Sequence, residues 1–162
     1  MKLVVSRLVG VASALVVLAA GSFAVAAAAG PPWGPETPNF NLEVILRPSA
    51  GDSGFGHVKF RQPNDADKIV YLDTWVRDLA PNHHYLLERA VDPTADDNCT
   101  NTTMWLTLGE VSTDDRGTGT AALSRNLPLP VGTSFDILFH VIDKDTKTVV
   151  LESACYQFAV SL

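Results

Sequence analysis

Four histidines, His57, His83, His84 and His140, and two cysteines, Cys99 and Cys155, are the residues of this chain that most readily suggest chemistry. Imidazole and thiolate bind Cu²⁺ and Zn²⁺, and a catalytic centre gathers several such ligands around an open position. Two cysteines are too few for a thiolate site. His83 and His84 adjoin in "LAPNHHYLLERAVD" (79–92). Neighbours on a strand point to opposite faces, so the two cannot hold one ion from a regular strand. His84 shares parity with Leu86 and Ala90 and is expected to tuck into the corner against backbone. His83 shares parity with Tyr85 and Arg89 and is expected in water. His57 and His140 fall on the wet faces of their strands. The candidate metal set is therefore His140 with His57 or His84, assisted by Asp136.

Other catalytic patterns are absent or weak. There is no G-x-S-x-G elbow and no serine in an activated context. "GDSG" (51–54) reads as a turn. Asp92, Asp96 and Asp97 in "VDPTADDNCTNTT" lack the spacing and closing Glu of an EF-hand and read as a solvated acidic loop. Trp75 and Trp105 fall on the outward parity of their strands, where exposed aromatics mark a possible binding surface.

The elements that must position these residues have a period of two. "NLEVILRP" sets Leu42, Val44 and Leu46 on one face. "GHVKFRQP" alternates Val58 and Phe60 against His57 and Lys59. "KIVYLDTWVRDL" puts Val70, Leu72, Thr74 and Val76 inward. "MWLTLGEV" does the same with Met104, Leu106 and Leu108, and "SFDILFHVID" with Phe135, Ile137, Phe139 and Val141. Asp136, Leu138 and His140 take the wet face. "TGTAALS", "KTVVLES" and "ACYQFAVSL" complete the set. Turn-forming clusters separate these runs, and no amphipathic helix appears after residue 30. About eight short alternating strands predict an all-β fold, an antiparallel Greek-key sandwich or flattened barrel.

The first 29 residues differ in kind. Lys2 and Arg7 precede an uncharged apolar run that ends in Ala24-Val25-Ala26 and Ala27-Ala28-Ala29. That pattern is a secretory signal peptide. Residues 30–40, "GPPWGPETPNF", form a Pro/Gly-rich leader, and 41–162 the sandwich domain. The chain has 12 basic and 18 acidic residues, and the signal holds none of the acidic ones. An acidic mature surface excludes nucleic acid and anionic lipid as partners. Membrane contact is then limited to the signal before cleavage. The expected location is secreted or periplasmic, where Cys99 and Cys155 would pair rather than stay as free thiols or bridge two chains.

Five stretches, in chain order, resemble the copper/zinc superoxide dismutases. "GHVKFRQ" resembles that family's early G-x-V-x-F-x-Q strand, and "VYLDTWVRDLAPNHH" its next strand and G-L-x-P-G-x-H corner. "LGEVSTDDRGTGTAAL", "FDILFHVIDKDT" and "ESACYQFAV" are similar to its L-G-N turn, its V-V-H segment and its last strand. The resemblance implies a Greek-key sandwich and a Cys99–Cys155 disulfide. It also implies a structural role for His84 and a copper-ligand place for His140. It puts Leu87 and Arg89 where the H-x-H copper ligands would stand, Met104 and Thr107 at zinc-ligand places, and Glu152 where an arginine steers superoxide. Most ligands are thus missing.

These readings lead to one functional expectation. The chain is an exported, non-enzymatic binding or structural module without cofactor, engaging an unspecified extracytoplasmic partner through the face around Trp75 and Trp105 or the 92–103 loop. The alternative is a copper-binding protein with residual dismutase-type redox activity.

Overall fold

The computed structural model describes residues 40–49, 53–62, 68–102 and 104–160. The expected signal segment and the leader through Asn39 lie outside these residues. Among the described residues there are nine strands: β1 (Phe40–Pro48), β2 (Phe55–Gln62), β3 (Ile69–Arg77), β4 (His84–Asp92), β5 (Leu106–Ser112), β6 (Gly119–Asn126), β7 (Ser134–Asp143), β8 (Val149–Ser153) and β9 (Tyr156–Ala159). The first takes in Phe40, which the sequence reading gives to the leader.

All pairings are antiparallel. Eight strands run in the order β5-β4-β7-β8-β1-β2-β3-β6, and β9 pairs with the first half of β7. The β3–β4 and β6–β7 connections cross between the two halves, which makes the Greek key. The outer strands β5 and β6 approach each other, so the sheet nearly closes into a barrel. Side chains fill the seam. Leu123 of β6 packs on Gly109 of β5, where a Cβ would come within 2.5 Å of it. The Arg125 guanidinium donates to the Leu108 carbonyl.

The inward faces expected from alternation form the core. Val44, Leu46, Val58, Leu72, Val76, Ile137, Phe139, Val141 and Leu151 are all fully or almost fully buried. Phe60 meets Phe158 edge-on at 4.7 Å and Phe139 at 6.3 Å, an arrangement that aromatic quadrupoles favour. One strand departs from expectation. Met104 is 88% exposed and Leu106 47%. Strand β5 starts only at Leu106, and its pairing with β4 slips between Leu87 and Glu88. That bulge interrupts the alternation the sequence suggested, leaving Leu108 and Val111 as the buried hydrophobic residues of the strand.

A second departure concerns the long β4–β5 connection. Asp92 and Asp136 face each other across the β4–β7 pair on the outer side, and both are fully buried. The loop covers them and supplies their partners. Thr94 and Asn101 donate backbone N–H groups to Asp92. Asp96 and Asn98 donate theirs to Asp136. The segment read as a solvated acidic loop is therefore folded down onto two buried carboxylates. Those hydrogen bonds, that from Thr94 first, hold the Asp92 carboxyl below the usual range against its burial. A Cys99–Cys155 disulfide, with Cα atoms 5.6 Å apart, ties the same loop to the β8–β9 turn.

The bond closes a 56-residue separation, which in the chain-entropy view contributes on the order of 3–4 kcal/mol. A Cys99→Ser/Cys155→Ser double variant should lose about that much in denaturant melts. Unchanged stability would mean that the carboxylate clamp alone fixes the loop.

Candidate functional site

The histidines of the proposed metal set do not converge. His57 lies on β2 and His140 on β7, with β8 and β1 between them. Three strand spacings are about 14 Å. His84 opens β4, four residues before Glu88, the cross-strand neighbour of His140. That offset is about 13 Å along the strand. Among the described residues, one group of His, Cys, Asp and Glu brings all its ligand atoms within 4.8 Å of one another: His83, Asp143 and Asp145. Its geometry serves the corner. His83 Nε2 lies 2.6 Å from Asp143 Oδ2, while Asp143 Oδ1 accepts from the Asp145 and Thr146 amides. These contacts, Thr146 first, hold the Asp143 carboxyl down at about 2 despite desolvation.

The roles of the adjacent histidines are thus the reverse of those expected. Opposite parity holds, but the inward face of β4 carries Tyr85 and Leu87, not Leu86. His83 shares that inward side, half-buried and edge-on to Tyr85 at 5.0 Å. His84 points outward and is exposed, 2.9 Å from Ser112 Oγ and 2.6 Å from Glu110 Oε1. The same parity applies to Leu87 and Arg89. Leu87 pairs with Val141 and Arg89 with Phe139, so both face inward. The outward positions beside His140 belong to Leu86 and Glu88.

His140 has Glu88 on one side and Glu152 on the other. Trp105, at the end of the clamped loop, stacks on its ring with centroids 3.7 Å apart and planes 18° from parallel. Burial pushes the His140 pKa below its ordinary 6.5, against the pull of Glu152 and Glu88. Trp75 lies elsewhere, on β3. It meets Phe55 edge-on at 6.0 Å, with the Arg77 guanidinium 5.8 Å from its ring. Trp75, His57, Lys59, Asp73 and Thr120 line a shallow groove of about 360 Å³. The two tryptophans of the expected binding surface therefore occupy separate places, and one is engaged by His140.

A better-formed concavity lies at one end of the sandwich, between its two halves. It has a volume of about 320 Å³. Phe60, Val70, Val91, Phe135 and Ile137 form its walls, and Leu127, Pro128 and Leu129 its rim. The rim is held by the Leu127 N–H, which donates to the Lys68 carbonyl. Arg89 and Arg125 complete the lining. Each continues an inward series, Tyr85-Leu87-Arg89-Val91 on β4 and Ala121-Leu123-Arg125 on β6. Arg125 sits exposed and donates to the Ser124 and Leu108 carbonyls. Arg89 is half-buried, and its guanidinium makes no hydrogen bond or ion pair among the described residues. Burial, then the like charge of Arg125, disfavours its charged form. Sequence reasoning passed over this pair, although a basic residue on the inward parity of a strand is a readable signal.

No family model, curated protein or solved structure matches the chain.

The Trp105–His140 stack makes one testable point. Between the lowered folded value and 6.5 the unfolded chain binds the extra proton, so this histidine makes stability rise with pH there. An NMR titration should place the His140 pKa below 6.5, and Trp105→Ala should move it upward by uncovering the ring. An unchanged value would show that the indole does not desolvate it.

Proposed function

We propose that the chain is an exported, non-enzymatic binding module that takes a small ligand into the open end of its sandwich. The observation that carries this reading is the end cavity. It is concave, mostly apolar, walled by strands rather than loops, and furnished with two converging cationic groups. Ligand sites have this composition: apolar walls for affinity and few polar groups for orientation. The volume of about 320 Å³ falls at the lower end of the usual range, which fits a small molecule.

Export is supported by the signal-like N-terminal segment and by the Cys99–Cys155 bond, which needs an oxidising compartment to persist. The resemblance to superoxide dismutases supports a sandwich that has turned from metal chemistry to another use. Its outward places beside His140 hold Leu86 and Glu88, and His57 and His84 stand strands or turns away. The clamped 93–102 segment and the Trp105 stack then act as structure on the His140 side of the expected surface.

The neutral fluorophore aminoanthracene tests the cavity without favouring either charge. Fluorescence titration should show saturable one-to-one binding. Val91→Trp on the wall, or Leu129→Trp on the rim, should weaken it roughly tenfold or more by filling the space. Binding that is absent, or that is lost on Trp75→Ala and untouched by either filling variant, would move the ligand site away from the end cavity.

A further inference from the structure

We infer that the ligand of the end cavity is a single-chain amphipathic carboxylate, its tail against Phe60, Val70, Phe135 and Ile137 and its head on Arg89. This rests on the cavity reading above and adds the chemical class. The described residues lining the cavity include two arginines and no acid. A guanidinium facing an apolar wall beside a second guanidinium is a poor arrangement unless an anion joins them. Each arginine occupies a position where its strand would otherwise continue an apolar series.

The two arginines differ in their free donors. Arg125 already spends donors on the Leu108 and Ser124 carbonyls. Arg89 keeps its planar fork without a partner among the described residues. One open fork matches the two oxygens of one carboxylate in bidentate fashion. Arg125 then adds field from the rim rather than a full set of hydrogen bonds. A dianionic head would match both charges but would find only one open fork to receive its oxygens. Apart from the arginines and Asn126 the lining is aromatic and aliphatic, and Phe60 is backed edge-on by Phe158. A hydrocarbon chain suits such walls better than a polar ligand does. The acidic balance of the chain as a whole makes a local cationic mouth more selective, since few other surfaces would attract an anion.

The test uses the full mature protein and three probes with one tail: decanoate, decanol and decyltrimethylammonium, all below their micellar concentrations and at neutral pH. Calorimetry should show decanoate binding roughly ten- to a hundredfold more tightly than decanol, with the cation weakest. Arg89→Gln should bring decanoate and decanol to similar affinity while aminoanthracene binding persists, which also shows that the variant is folded. Arg125→Gln should reduce the preference by a smaller factor. Equal binding of decanoate and decanol by the unaltered protein would overturn the carboxylate assignment while leaving the cavity reading in place. So would a preference that survives both arginine substitutions. Failure of decanoate, decanol and aminoanthracene alike would remove the cavity reading itself.

Discussion

Two aspartates placed directly opposite each other at the end of a strand pair should repel, and a regular sheet would not keep them there. Asp92 and Asp136 stay because the 93–102 segment folds over them and offers four backbone N–H groups. Much follows from that clamp. It directs the long β4–β5 connection onto the outer face, where Cys99 can reach Cys155. It delivers Trp105 onto His140 at the loop's far end. The described lining of the space at the end of the sandwich comes from β2, β3, β4, β6 and β7, with Leu127, Pro128 and Leu129 at the rim, and includes no residue of that loop.

The open end resolves an apparent conflict in the strand pattern. An inward arginine would be prohibitive at the level of Leu87 or Leu72, where side chains are fully buried. Arg89 and Arg125 come later along their strands, where water reaches the space between the sheets. Each can therefore keep its charge, though at a cost that an anionic ligand would offset. The remaining polar clusters have local work. His83 and Asp143 join the corner before β4 to the β7–β8 turn, and His84 with Glu110 and Lys144 covers the same edge from outside.

Most of the fold was legible in the sequence because period-two alternation and turn chemistry are local. Val44, Val58, Leu72 and Phe139 are inward as their neighbours dictate. What failed depended on contacts distant in sequence. The bulge between Leu87 and Glu88 exposes Leu106, and Gly109 beside it hints at a bulge without fixing which residues turn outward. Asp136 reads as a wet-face residue until a loop some 40 positions away covers it. The histidine roles were reversed because the inward face of β4 was set one residue out of step. That same error hid Arg89, which falls into the inward series once Tyr85 and Leu87 define it.

The claim that unites this account is that the functional site lies inside the end of the sandwich and not on its tryptophan-bearing faces. Chemical-shift mapping of the ¹⁵N-labelled protein with decanoate tests it most directly. The account predicts perturbations of the Arg89 and Arg125 side-chain Nε–H signals and of the Val70, Leu127 and Ile137 amides. Shifts centred instead on Trp75 or on the Trp105 indole, with the arginine signals unmoved, would contradict it.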